Sequence, residues 1–399
     1  MQSILENMES CVGCSACAQR CPALCVSMVP DDEGFLFPLI DEKRCTDCGL
    51  CKKACPVLNA GSTEPDPEQS GFPRAWAAWC LDDGIRLSSS SGGLFSMFAE
   101  SCLRKGGTVF GAAFDSDFTV RHTGISGITD LDSLRRSKYV QSDINMCYRE
   151  TEKLLKEQRP VLFSGTGCQI AGLKSFLGKQ YPGLLTIDVA CYGVPSPKVW
   201  SMYLDDMKKR YKSDISAISF RDKRNGWKDS RMHISFRNGR DYCRTLGKDP
   251  FFIGFGKNLL SRKCCFNCQF RHPGTRADLT LADFWGAEKI MGIDPGDNKG
   301  ISLVIANTSR GEAALTAIRE KCFIAEAPFD EAVSWNPRLT ASADIPLNRP
   351  LFFADMNRGM RFPALKRKYM NPVVQSIKLW VKRTLGEGVA GKLKKLIRV

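Results

Sequence analysis

The run Cys11-x2-Cys14-x2-Cys17-x3-Cys21-Pro22 recurs as Cys45-x2-Cys48-x2-Cys51-x3-Cys55-Pro56. Thiolates at this spacing wrap one face of a [4Fe–4S] cubane, and the proline ends each run and directs its fourth cysteine to the other cluster. The pattern therefore assigns Cys11, Cys14, Cys17 and Cys55 to one cluster, and Cys45, Cys48, Cys51 and Cys21 to a second. A pair of zinc knuckles is the rival, but zinc takes four ligands from two pairs and has no use for a doubled run of four. The chemistry predicted is one-electron transfer. Gly13, Gly49, Ser15 and Ala16 leave backbone amides free to approach the sulfurs, which helps set the potentials. Cys25 is left over and reads as a buried small hydrophobe.

Four further cysteines stand in distinctive contexts: Cys168 in Ser164–Gly172, Cys191 in Asp188–Pro197, and the pair Cys265 and Cys268. Together they would make a third metal site; on spacing alone, zinc and isolated buried thiols stay open. Cys168 also follows a predicted strand and opens a helix, the setting of an activated nucleophile. No histidine takes a partner position, since His122, His233 and His272 show neither ligand nor triad spacing, so a ligand role ranks first. Ser88-Ser-Ser-Ser-Gly-Gly-Leu-Phe95 runs into an apolar helix, where free amides and a positive helix end suit a phosphate; a flexible linker is the alternative. Gly165-Thr166-Gly167 is a second such turn, and two in one α/β body favour a nucleotide cofactor, although neither is a GxGxxG or Walker loop.

These residues need a scaffold. Residues 1–59 read as a two-cluster 4Fe-4S ferredoxin domain, and 60–74, rich in Pro, Gly and acids, as a linker. Beyond it, strands at Ala75–Trp79, Thr108–Phe114, Val161–Ser164 and Leu184–Val189 alternate with helices near 93–105, 148–158, 169–179 and 197–211. That alternation predicts an α/β body over 75–345, so the fold class is α+β for the module and α/β for the body. After Ile215 the strands shorten, with apolar stretches at Leu279–Trp285 and Ile301–Ala306 before a helix near 311–320, all read as the same body. In the last segment, 346–399, Val373, Ile377, Trp380, Val381 and Leu385, then Val389, Leu393, Leu396 and Ile397, fall at helical spacing among lysines: two short basic amphipathic helices.

At 399 residues and 43% hydrophobic, the chain can bury several cores. Nineteen cysteines without a basic and apolar N-terminal segment point to the reducing cytoplasm, where clustered cysteines mean metal. Every apolar run is broken before the roughly 18 residues a membrane span needs. Of the net charge of +14, +10 lies in 361–399, where eleven Lys and Arg face Glu387 alone. The charge belongs to a tail, which argues against nucleic acid and suits a peripheral contact on the inner membrane face or an acidic partner.

Taken in order, Ser88–Phe95, Gly107–Gly111, Ser137–Ser142, Gly165–Gly172, Asp188–Pro197, Phe220–Trp227, Cys265–Cys268 and Asp278–Gly286 resemble the family of the beta subunit of coenzyme F-420 hydrogenase/dehydrogenase, with a ferredoxin module fused in front. The resemblance implies an oxidoreductase with FAD in the body and a third [4Fe–4S] cluster beside it. By motif position, Cys168, Cys191, Cys265 and Cys268 would ligate that cluster. Ser91, Gly92, Gly93, Lys138, Tyr139, Gln141, Gly165, Thr166, Gly167 and Gln169 would contact the flavin. A redox protein, or a small hydride donor or acceptor, would be the partner, with coenzyme F-420 typical. Three residues depart from the family pattern: Gly167 for the usual Pro, Tyr192 for His and Arg136 for Gly.

Overall fold

The structure, a computed structural model, describes residues 3–60, 71–271 and 277–370. Most of the expected linker, His272 and the amphipathic pattern after Pro372 lie outside them.

In the N-terminal module, β1 (Val26–Pro30) and β2 (Leu36–Ile40) form an antiparallel hairpin. Helices Ala16–Arg20 and Leu50–Lys53 each start inside a cysteine run, and each is entered through a left-handed residue, Ser15 and Gly49. The core holds Ile4, Leu5 and Val26, but most of it is sulfur: Cys11, Cys17, Cys21, Cys25 and Cys55 are all buried. So small a module has little aliphatic surface to bury and needs something bound to hold it.

The body is built on an eight-stranded sheet. Its strands are β3 (Arg74–Cys80), β4 (Thr108–Phe114), β5 (Val120–Ile125), β6 (Val161–Thr166) and β7 (Leu184–Val189), then, after β8 (Ile215–Asp222), β9 (Arg231–Phe236) and β10 (Asp241–Thr245), β11 (Leu279–Asp283), β12 (Ser302–Ala306) and β13 (Cys322–Ala327). Their order is β13-β3-β12-β11-β7-β6-β4-β5. The central four, β11, β7, β6 and β4, run parallel, and every other pairing is antiparallel. Alternating strands and helices predicted a plain α/β sheet; the observed sheet is mixed. An apolar run buried on both faces reads the same whichever way its neighbours run, so periodicity carries no direction.

The segment after Ile215 forms a separate antiparallel sheet, β10-β9-β8. It closes over Trp200, Tyr203, Phe220, Phe251 and Phe352. Phe353, Met356, Phe362 and Leu365 are buried in the same core, so tight packing continues past residue 345. No helix among the described residues is long and apolar enough to cross a membrane.

The module is locked onto the body. Gln19 Oε1 accepts from the amides of Tyr148 and Arg149, and Arg149 donates to the carbonyls of Gln19 and Cys21. Ser196 donates to the Glu33 carbonyl, and Arg349 forms a two-pronged ion pair with the Glu33 carboxylate. Gly172 lets helix Gly167–Leu177 approach closely: a Cβ there would lie 2.9 Å from Cys14 Sγ.

Candidate functional site

Between the module's cysteine runs lies a small cavity lined by Cys11, Cys14, Cys17 and Cys55 with Ile4, Leu5, Val12 and Met28. The Gly13 amide donates to Cys11 Sγ at 3.4 Å, and the Asp47 amide to Cys45 Sγ at 3.4 Å. Burial, then the neighbouring thiols, push Cys14 and Cys17 well above the ordinary range. Four thiolates closing on one dry cavity can ionise together only around a cation, which is the fit an iron–sulfur cluster requires. Burial likewise raises Cys51, on which Cys21 and Cys45 act, while Cys48 is exposed. Cys25 is buried, its sulfur 3.3 Å from that of Cys21.

A larger cleft opens at the carboxyl ends of β6 and β7. Parallel sheets place their ligand crevices at such ends. Cys168 opens helix Gly167–Leu177, Cys191 follows β7, and Cys265 and Cys268 sit on the 3-10 turn Lys263–Asn267 and the residue after it. All four line this cavity, with Val12, Arg262 and Arg271. Burial, Cys268, Cys191 and Cys265 hold the Cys168 thiol well up, and burial with Cys265 takes Cys191 to about 12. Cys265 goes the other way, to about 7, through a hydrogen bond from Cys264 and the cations Arg262 and Arg271. Cys264, which also lines the cavity, was missed in the sequence; its adjacency to Cys265 was the available signal. Among the described residues no group of three His, Cys, Asp or Glu is set to hold a single metal ion.

The ten residues expected at a flavin do not share one wall. Thr166 and Gly167 line the large cavity. Gln169 caps its own helix, accepting from the Thr166 amide, and donates to Ser142; Gly165 abuts it. Gln141 faces the module, donating to the Val12 carbonyl. Ser91 donates to the Ile301 carbonyl, the Gly92 amide to Ser302 Oγ, and Gly93 opens helix Leu94–Arg104. Lys138 donates to the carbonyls of Ser133 and Arg135, and burial takes its ammonium down to about 7. The serine loop and the Ser-Lys-Tyr segment do meet, through the Ser137 amide and Ser90 Oγ at 2.9 Å. Arg136 takes φ +66, a conformation glycine adopts without strain, and donates to the Ser88 carbonyl.

Beside Tyr139 stands a residue of the Phe220–Trp227 segment that was not among the expected site residues. Arg221 is 6% exposed and donates through Nη1 to Tyr139 Oη at 3.3 Å and Asp283 at 2.9 Å. Its Nε and Nη2 have no partner among the described residues. The stacked pair Trp227 and Trp285 flanks it, centroids 4.4 Å apart, with Trp285 and Tyr192 about 40% exposed.

His122 accounts for a pH dependence. Its ring lies between the Ser164 carbonyl and Ser142 Oγ, and burial lowers its pKa from 6.5 to about 4. Between those values only the unfolded chain takes up the proton. This part of the stability is complete above pH 6.5 and is lost as pH falls toward about 4. Thermal melts of His122→Gln should show a shallower decline over this interval than the wild type.

The cysteine-lined cavities and the dicluster module define an iron–sulfur electron-transfer protein. Residues 10–59 match the 4Fe-4S dicluster domain, and residues 158–332 match the family model for the C terminus of the coenzyme F420 hydrogenase/dehydrogenase beta subunit. The chain thus carries a stretch similar to the dicluster domain ahead of one similar to the C terminus of that beta subunit. No curated relative matches it. Among solved structures, a chain from "Xenon derivatization of the F420-reducing [NiFe] hydrogenase complex from Methanosarcina barkeri" is similar at 15% identity and TM-score 0.43, over 74% of this chain and 94% of that one.

Proposed function

We propose that this chain is an iron–sulfur flavoprotein oxidoreductase that moves electrons between a hydride-exchanging metabolite and [4Fe–4S] clusters. Cys11, Cys14, Cys17 and Cys55 would hold one cluster; Cys45, Cys48, Cys51 and Cys21 a second; Cys168, Cys191, Cys265 and Cys268 a third. The observation that carries this reading is the large cavity: thiols from three distant segments line it, and it shares Val12 with the first-cluster cavity. FAD would sit near Ser91, Tyr139 and Arg221, where the free guanidinium donors suit an anionic or carbonyl-rich ligand and the aromatic rings a planar one. Bound groups of these kinds would supply one-electron exchange at the clusters and conversion between hydride and single electrons at the flavin.

The residues of this chain set the conditions. Arg221, held charged against its burial by Tyr139 and Asp283, fixes a positive charge beside Tyr139 and Trp285. Lys223 donates to the carbonyls of Arg86, Ser91 and Lys299 and so braces the serine loop. By family resemblance coenzyme F-420 is the hydride partner, but Tyr192 and Arg136 change loops lining this region, so another metabolite fits as well.

A second reading, a non-catalytic adaptor that docks a partner enzyme, is favoured by one observation: both large cavities are cysteine-lined. Flavin content separates the two. Anaerobically purified wild type should release about one FAD per chain on denaturation, and Arg221→Ala should release severalfold less at unchanged iron. Wild type with full iron and no FAD would leave the adaptor standing. Reoxidation of the reduced protein by added F-420 tests the substrate separately.

A further inference from the structure

We propose that Arg262 is a fixed countercharge shared by two iron–sulfur sites, holding the first-cluster and third-cluster pockets in register and raising the reduction potentials of both occupants. The proposal rests on the functional reading above and adds a role for a residue outside both ligand sets.

Arg262 is 1% exposed, among the largest fully buried side chains in the protein. Its Nε donates to the Cys11 carbonyl at 2.8 Å, Nη1 to Gln141 Oε1 at 3.1 Å and Nη2 to the Leu36 carbonyl at 3.0 Å. The guanidinium carbon lies 4.1 Å from the centre of the Phe37 ring. Its own carbonyl accepts from the Cys265 amide at 3.1 Å. One residue therefore ties the first cysteine run of the module to the turn that carries Cys265 and Cys268. Gly13, at φ +66, closes the turn onto it, since a Cβ there would come within 2.9 Å of Arg262 Nη1. Val12, next in the chain, lines both cavities, and Arg262 lines the larger one while bonding the Cys11 carbonyl, so the two residues stand where the cavities adjoin.

What Arg262 lacks decides its role. All its hydrogen bonds go to neutral oxygens, and no carboxylate pairs with it among the described residues. The contrast is Arg349, equally buried, whose guanidinium pairs with the Glu33 carboxylate and behaves as a clamp. An uncompensated guanidinium in a dry interior costs several kcal/mol. The anions that offset this cost are the thiolates: Arg262 lines the larger cavity together with Cys264, Cys265 and Cys268 and hydrogen-bonds the backbone of Cys11. A thiolate-bound cluster is an anion that gains another negative charge on reduction. A cation fixed beside it in low dielectric favours the reduced form and raises the potential.

The test is an EPR-monitored redox titration of full-length, anaerobically prepared protein as wild type, Arg262→Met and Arg262→Lys, with iron counted in each. In the wild type, full reduction should give spin coupling between the first and third clusters. Arg262→Met should shift the potentials of both downward and leave that of the second nearly unchanged. Arg262→Lys, which keeps the charge and loses the fork, should stay near wild type. Unmoved potentials in Arg262→Met with all clusters retained would reduce Arg262 to a clamp and overturn the proposal. Should Arg262→Met lose iron, the lysine variant decides: retained clusters near wild-type potential support the charge, whereas lost or lowered clusters refute it. Wild type with about eight irons and no third signal would defeat the functional reading and this proposal together. Isolated, uncoupled signals from three intact clusters would defeat this proposal alone.

Discussion

Cys17→Ala protein, purified anaerobically beside the wild type, is expected to contain about four fewer irons per chain and a correspondingly smaller amount of acid-labile sulfide. Cys17 lines the smaller cavity with Cys11, Cys14 and Cys55, and that cavity is the centre of a core made largely of sulfur. Removing one thiolate leaves three ligands around a group that needs four, and a module with little aliphatic core to fall back on. Loss of the bound group should therefore be accompanied by loosening of residues 3–59, seen as faster proteolysis and amide exchange there. Cys80→Ala is the control. Cys80 is 1% exposed and pairs in register with Cys322 on the far strands of the large sheet, and it lines neither cavity. Its iron content should match the wild type, although burial alone makes it an equally hidden thiol. Equal iron in Cys17→Ala and wild type would remove Cys17 from the ligand set.

Glu33→Ala should destabilise the docked module by about 3–5 kcal/mol, because it leaves a buried guanidinium without its countercharge. Arg349 is 2% exposed and would keep the Ser261 carbonyl and the rings of Phe353 and Phe266, none of them a countercharge. The surface pair Lys263 and Glu9, exposed by 47% and 64%, joins the same two parts of the chain. Lys263→Ala should cost only about 0–1 kcal/mol, since such pairs are screened by water and salt. Denaturant titrations followed by cluster absorbance would measure both. A Glu33→Ala effect as small as that of Lys263→Ala would mean that the ion pair does not hold the module in place.

How legible each part was in the sequence follows from how local it is. The eight module cysteines stand at fixed short spacings, and a motif of that kind needs no knowledge of the fold. The strands at Thr108–Phe114 and Leu184–Val189 were readable to the residue because buried runs between turn residues are unambiguous in position. Their directions were not, because pairing sense has no sequence period. Cys168, Cys191, Cys265 and Cys268 line one cavity only because β6, β7 and a turn nearly a hundred residues after β6 converge; spacing left zinc and isolated thiols open beside a four-cysteine site, and resemblance to a family made that site the favoured reading. Gln169 and Lys138 were expected near a cofactor for their position in motifs, and both make local contacts, one capping its helix and the other bonding the carbonyls of Ser133 and Arg135. Arg221 lay within the Phe220–Trp227 segment without being marked as a site residue, and Arg262 was invisible, because the sequence holds 57 Lys and Arg and their type alone does not tell which of them the fold will bury.

The measurement that bears most directly on this account is a joint count of iron, acid-labile sulfide and zinc in anaerobically purified full-length protein. Three [4Fe–4S] clusters predict about twelve irons matched by about twelve sulfides, with negligible zinc. Stoichiometric zinc, or iron without labile sulfide, would contradict it.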